Sequence, residues 1–368
     1  MGERGERITP LLVSVVADRL CCVGDESQRF VWPQASATGV GSMPGTDPAE
    51  AMAVVLGELP DLPHLPELPA RGVGADLTGR TAALLVDLPV ETTAGGWKLA
   101  ARPSRDQRRS AGLLSADLDA MQEAASDWAG PFKVQVCGPW TLAATIELSR
   151  SQNPALADPG AVADLIASLA EGVASHVAEV RGRLPGATLL LQLDEPALPA
   201  VLAGSVPTAS GLNRVGAVDN TVTSDGLRTV LAATTAFGLV HCCASGIPFG
   251  LLREAGAQAV AFDLSLLRRE DEDNLAELVE ADLGIFAGAV QSLERNAPAT
   301  QRSPRDSGAE LLGLWHRMGI PLGGLDRQVV LTPACGLAGA SPSAARATLA
   351  RCREAARLLP ELIEEGAT

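Results

Sequence analysis

The run L-V-H-C-C-A-S-G at 239–246 ends a stretch apolar enough for a buried strand in a histidine and two cysteines, although the chain carries only four histidines and seven cysteines. On an extended backbone alternate side chains point the same way, so His241 and Cys243 share one face and Cys242 takes the other. An imidazole and a thiolate so placed suit two ligands of one metal ion. Asp263, closing A-V-A-F-D, could add an oxygen, and Cys335 in T-P-A-C-G-L a second sulfur. Two thiolates, an imidazole and a carboxylate make a tetrahedral zinc site. The same residues also fit a blander reading, small core cysteines beside a core histidine, since free cysteine is among the most buried residue types. Ser42 in V-G-S-M-P sits by glycine, which lets a ligand approach the backbone. Asp194 and Glu195 in Q-L-D-E-P-A-L are either site carboxylates or caps of the turn before Pro196, and Asp87 and Glu91 follow another apolar run. His64 and His316 read as surface or loop residues, and His176 as a helix residue outside the chemistry.

These candidates are far apart in the chain, so the intervening elements must bring them together. From Ala35 onward short apolar runs alternate with Ala/Leu-rich segments of helical period, the pattern of a parallel sheet with crossover helices. Strands are expected at 37–41, 82–87, 133–137, 188–194, 238–243, 259–263, 284–290 and 328–333. Helices are expected over 47–58, 115–128, 161–183, 224–237, 272–281, 307–318 and 343–359, with caps such as Asp47 before Pro48 and Ser341 before Pro342. Eight strand–helix repeats predict an α/β chain folded as a single (β/α)8 TIM barrel, whose chemistry sits on loops at the C-terminal ends of the strands. An open doubly wound sheet with a small second domain is the alternative. The Pro- and Gly-rich stretch 61–79 reads as an irregular loop over the barrel mouth. Residues 1–34 are unlike the rest and are expected to be an irregular extension, disordered or a misassigned start, with the barrel spanning 35–368.

Composition narrows the partners. A formal charge of -15 is the opposite of the clustered basic face that nucleic acid requires. Seven cysteines, an odd number without scaffold spacing, fit a reducing cytoplasm in which thiols serve metal or thiol chemistry. The apolar stretch 11–17 is short and lacks a small-residue cleavage pattern, and Arg19 before Cys21 and Cys22 argues against a lipidated cysteine. No stretch reads as long enough to span a membrane.

Four separated motifs, in order, resemble one family. V-G-S-M-P-G-T resembles the I-G-S-F-P-Q-T of the cobalamin-independent methionine synthases, Q-L-D-E-P-A-L their Q-I-D-E-P-A-L, H-C-C their H-x-C, and T-P-A-C-G-L their N-P-D-C-G-L; C-G-P-W-T-L at 137–142 is similar to their G-P-V-T segment. The resemblance runs from Ala35 to the C-terminus and implies a barrel of the uroporphyrinogen decarboxylase and methionine synthase superfamily. It implies zinc held by His241, Cys243 and Cys335, with Asp263 where the family has glutamate, and homocysteine held by Ser42, Asp194 and Glu91, Glu195 being a weaker candidate. The implied activity is homocysteine S-methyl transfer. Where the family has G-V-Y-D-I-H-S, whose histidine helps protonate the departing folate, this chain has G-A-V-Q-S-L-E at 288–294. Single-barrel relatives take methyl groups from a corrinoid protein, so the expected donors are methyltetrahydrofolate or a methylcorrinoid. Two other readings stand beside this one, a tetrapyrrole decarboxylase on the same barrel and a non-catalytic zinc or thiol binder.

Overall fold

The computed structural model describes residues 30–291 and 303–366. Cys21, Cys22 and the 292–294 end of the G-A-V-Q-S-L-E segment lie outside them. Among the described residues the strands are β1 (Val90–Thr93), β2 (Gly96–Leu99), β3 (Pro131–Cys137), β4 (Ile146–Glu147), β5 (Thr188–Asp194), β6 (Phe237–Cys242), β7 (Ala259–Asp263), β8 (Gly284–Val290) and β9 (Val329–Pro333). The α-helices are α1 (Pro48–Glu58), α2 (Leu77–Ala82), α3 (Arg105–Ala125), α4 (Pro139–Thr145), α5 (Pro159–Arg183), α6 (Leu198–Leu202), α7 (Asn220–Leu231), α8 (Phe249–Glu254), α9 (Glu272–Glu280), α10 (Pro304–Met318), α11 (Leu325–Gln328) and α12 (Pro342–Gly366).

Six strands, in the order β3-β5-β6-β7-β8-β9, form one curled parallel sheet. Extended segments border both of its edges. Thr38 N–H donates to Leu331 O and Leu331 N–H to Ser36 O, each at 3.0 Å, along β9. Leu65 N–H donates to Lys133 O and Lys133 N–H to Pro63 O, each at 2.9 Å, along β3. The two segments also meet each other, through Glu67 N–H to Gly41 O (3.1 Å) and Met43 N–H to Glu67 O (2.8 Å).

Four expectations are corrected here. The run 82–87 is not a strand: Ala82 ends α2, and Asp87 turns the chain at φ 53°. Its apolar residues are satisfied by α5 instead, where Gly172 packs on Leu84 O and Ser168 Oγ donates to Val86 O at 2.7 Å. The proline-rich stretch read as a loop supplies the extended edge at 63–67. Pro63 contributes only its carbonyl to the pairing and the proline nitrogens are not called on to donate. Helix α3 starts earlier than expected, behind its Ser104 cap, because its first turns are polar and carry no apolar stripe. Helix α5, 25 residues long, is long and apolar enough by length and composition to cross a membrane, contrary to the sequence reading. Its buried residues, Val162, Leu165, Leu169, Val173, Val177 and Val180, recur at helical spacing and belong to the protein core.

The two faces of the sheet differ. Leu189, Leu191, Leu193, Val240, Val260, Phe262, Ile285, Ala287 and Leu331 join the large core shared with the helices. On the other face Leu190, Leu239, Ala259, Ala261, Phe286 and Val330 form a second cluster with Trp32. The Trp32 ring stacks on Phe30 at 5.1 Å and meets Phe237 and Phe286 edge-on. Toward the strands' C-terminal ends this inner face turns polar: Lys133 and Gln135 on β3, Gln192 and Asp194 on β5, His241 on β6. Those ends carry the site.

Candidate active site

Asp194 closes β5 and is the register partner of His241 on β6. His241 Nδ1 stands 2.6 Å from Asp194 Oδ1, both side chains being buried. A carboxylate only accepts, so the ring proton sits on Nδ1 and Nε2 is left a lone pair. Nε2 is itself buried and has no partner among the described residues.

Asp194 is held from behind. Gln192 Nε2 donates to Asp194 Oδ1 at 2.7 Å and to Val40 O at 2.8 Å. Lys133 Nζ donates to Gln192 Oε1 at 2.7 Å and to the same Val40 carbonyl at 2.8 Å. An ammonium can only donate, so the amide oxygen of Gln192 must face Lys133 and its nitrogen must face Asp194. The chain of bonds therefore has one direction, from Lys133 to the Asp194 carboxylate, and both bonds to Asp194 from Gln192 and His241 fall on Oδ1, leaving Oδ2 with no hydrogen bond among the described residues.

Cys243 follows β6, and Cys335 follows β9. The two thiols are within hydrogen-bond reach of each other: sharing a proton across that contact, with burial, pushes Cys243 up, while the same contact, with the neighbouring His241 acting in the same direction, lowers Cys335. Ser42 Oγ lies so close to Gly336 that any side chain there would collide with it, and Leu337 N–H donates to Ser42 O at 2.8 Å. Ser42 thus stands beside Cys335. Asp263 is turned aside, its Oδ1 accepting from Ser265 N–H at 2.9 Å and Ser265 Oγ at 2.7 Å, although its charge is still felt at Cys335. Among the described residues no three His, Cys, Asp or Glu side chains stand close enough to enclose an ion as they are. The donor chemistry nevertheless fits zinc at three positions: two thiols already in contact and a buried, unpartnered imidazole nitrogen.

The acidic residue beside Ser42 is Glu67, not Glu91. Glu67 is buried, and its backbone brackets Ser42 through the bonds to Gly41 and Met43. Burial pushes its carboxyl up to about 7, against Arg80, whose Nε is 3.6 Å away. Arg80 and Arg71 both grip buried Asp117. Glu91 lies on the β1–β2 hairpin and pairs at 3.1 Å with the partly exposed Lys98.

Glu195 points away from Asp194 and caps α4. Its carboxylate accepts from Trp140 N–H (2.9 Å), Thr141 N–H (2.7 Å) and Thr141 Oγ1 (2.7 Å), in space left open by Gly138. His64, read as a surface or loop residue, is fully buried beside the Gly41 backbone; burial and Lys133 hold its pKa well below the usual value. His176 is buried inside α5 and lowered to about 4 by burial and Arg80. The residues missed by sequence reasoning, Lys133, Gln135 and Gln192, had left a signal: polar residues at every second position of strands otherwise wholly apolar. Glu67 left none, hidden among prolines.

The family model described as "Cobalamin-independent synthase, Catalytic domain" matches residues 35–358. The chain belongs to this family. It is a methyltransferase of the homocysteine-methylating class, and the family assignment sets aside the tetrapyrrole decarboxylase and non-catalytic readings. The family description, cobalamin-independent, gives no support to the expected corrinoid-protein partner. Comparison with curated protein sequences finds no match. Among solved structures the chain is similar to a B12-independent methionine synthase from Shewanella sp. W3-18-1 in complex with selenomethionine, with TM-score 0.57 and 12% identity over 90% of this chain and 100% of that one; at that identity the likeness speaks to fold alone. The tryptophan synthase complex of Pyrococcus furiosus (12% identity, 91% of this chain and 98% of that one) and the carboxyl transferase domain of Rhizobium etli pyruvate carboxylase (14%, 64% and 44%) reach TM-scores of only 0.29 and 0.23.

Proposed function

We propose that this chain makes methionine by moving a methyl group from methyltetrahydrofolate to homocysteine, at a zinc site formed by His241, Cys243 and Cys335. The observation that carries the reading is the contact between Cys243 and Cys335, remote in sequence, beside the buried, unpartnered Nε2 of His241. A free thiol of pKa near 8.5 is only a few per cent thiolate at neutral pH, and zinc, when bound, would supply the missing ionisation. The rest falls to the protein. Asp194 keeps the His241 proton on Nδ1 so that Nε2 can donate its lone pair. Ser42, beside Cys335, and the carboxylates Glu67 and Asp194 hold the amino-acid end of homocysteine, fixing its sulfur for in-line attack. Glu67 takes the role that the family resemblance implied for Glu91. Asp263, committed to Ser265, is proposed as a neighbouring charge rather than a ligand.

The same reading extends to the fold. We take the segments 37–43 and 63–67 as strands one and two of a closed (β/α)8 barrel, on the support of their bonds to β9, to β3 and to each other. One domain from Ala35 onward is supported by the extent of the family match, and the free cysteines among the described residues suit a reducing cytoplasm. The test is metal content of the purified protein and of Cys335→Ser, with methyl transfer from methyltetrahydrofolate assayed beside it. One equivalent of zinc, lost in the variant together with activity, is the expected result. Zinc content equal in both proteins would overturn the shared site.

A further inference from the structure

Gln135 is a buried side chain with one end tied and the other open. Its Nε2 donates to Leu65 O at 2.5 Å, and the amide also hydrogen-bonds the Glu67 carboxylate. Leu65 O and a carboxylate oxygen are both acceptors, so the nitrogen must face them and the amide cannot be flipped. Its Oε1 is then directed elsewhere, buried and without a hydrogen bond among the described residues. Gly41 makes room for this arrangement, because a Cβ there would lie 2.9 Å from Gln135 Cγ. Gln135 is also the register partner of Gln192 and sits next to the Asp194 strand.

We propose that Gln135 is a specificity-determining residue, its Oε1 accepting a hydrogen bond from the α-ammonium group of the thiol substrate. This rests on the reading of the substrate as an amino-acid thiol. An ammonium brings three donors and no acceptor. Glu67, Asp194 Oδ2 and Gln135 Oε1 are three acceptor sites around the Ser42 segment, two charged and one neutral. The neutral one completes the coordination of the cation without adding a third negative charge. A thiol without the ammonium leaves Gln135 Oε1 unsatisfied, which selects against it.

The test compares homocysteine with 4-mercaptobutanoate, its analogue without the amino group, in wild type and in Gln135→Met, with Gln135→Leu as a second variant should the first fail to fold. A hydrogen bond to a charged group is worth roughly 10-fold or more in affinity. KM for homocysteine is therefore expected to rise about 10-fold more than KM for 4-mercaptobutanoate, with kcat for homocysteine affected much less. A merely structural role would shift both substrates alike, and that result, or no shift in either, overturns the proposal. Wild-type protein that turns over neither thiol would instead remove the functional reading itself, and this inference with it.

Discussion

Lys133 separates what stabilises this protein from what positions its site. The ammonium is fully buried, and desolvation brings its pKa down from 10.5 to about 8 even though Asp194 and Glu67 pull it up. A depression of that size means the buried charge costs on the order of 3 kcal/mol below pH 8. Lys133→Met removes that cost at similar volume. It also leaves Gln192 Oε1 without its donor, a loss of roughly 1–3 kcal/mol. The net expectation is a variant as stable as wild type or up to about 2 kcal/mol more stable, measured by urea unfolding at pH 7. The sign can be checked along pH. With the folded pKa below the unfolded one, wild-type stability recovers as pH rises from about 8 to 10.5, so the advantage of the variant shrinks over that window. The site responds in the opposite way. With Gln192 free to turn, Asp194 loses its fixed position behind His241, and zinc affinity, measured by competition with a chromophoric chelator, is expected to fall about 10- to 100-fold. A variant several kcal/mol less stable but with unchanged zinc affinity would refute the argument.

Other outcomes follow from the same geometry. Glu195→Gln keeps the shape of the cap but turns an amide N–H toward donors on Thr141; about 2–4 kcal/mol of stability should be lost, visible as a lowered unfolding midpoint. Glu67 is pushed up to about 7, chiefly by burial. In the folded state it therefore holds a proton that the unfolded chain releases near 4.5, so its contribution falls as pH rises from about 4.5 to 7. Glu67→Gln should flatten that fall in unfolding midpoints compared at pH 5 and pH 7, and an unaltered slope would show that Glu67 is ionised at no cost.

The sequence revealed those parts of the fold whose burial is uniform. Strands β5, β7 and β8 match the expected runs residue for residue because a parallel strand covered on both faces must be apolar throughout and ends abruptly in turn residues. The edge segment at 63–67 escaped for the opposite reason. It pairs through only a few bonds, and prolines at 63 and 66 fit there because not every nitrogen must donate. The run 82–87 misled because apolarity reports burial, not the partner, and here the partner is a helix. In the site, His241, Cys243 and Cys335 were legible because thiols and imidazoles are rare in this chain, while Glu67 was not, since an acidic residue between prolines looks like any solvated turn. Residue type and spacing alone did not separate the adjacent carboxylates of Asp194 and Glu195; the family resemblance made Glu195 the weaker candidate. The end of β5 gives the physical reason, since it sends one toward His241 and the next toward the start of α4.

That division bears on why so much charge is buried at these strand ends. Asp117 is answered by Arg71 and Arg80, and Glu195 by three donors at the start of α4, so these acids are balanced within the protein and can be understood as structure. The inner acceptors are answered less fully: Gln135 Oε1 has no donor among the described residues, the single lysine nearby is spent on Val40 and Gln192, and Glu67 has only the longer Arg80 pair at 3.6 Å and the Gln135 amide. Folding alone would favour apolar residues here. An excess of acceptors is tolerable only where something rich in donors enters, and the opposite sheet end, plugged by Trp32 and Phe286, shows that this chain packs hydrocarbon there when nothing need be bound. The imbalance thus points to a cationic group as the part of the substrate recognised deepest, with the thiol end left to His241 and the two cysteines.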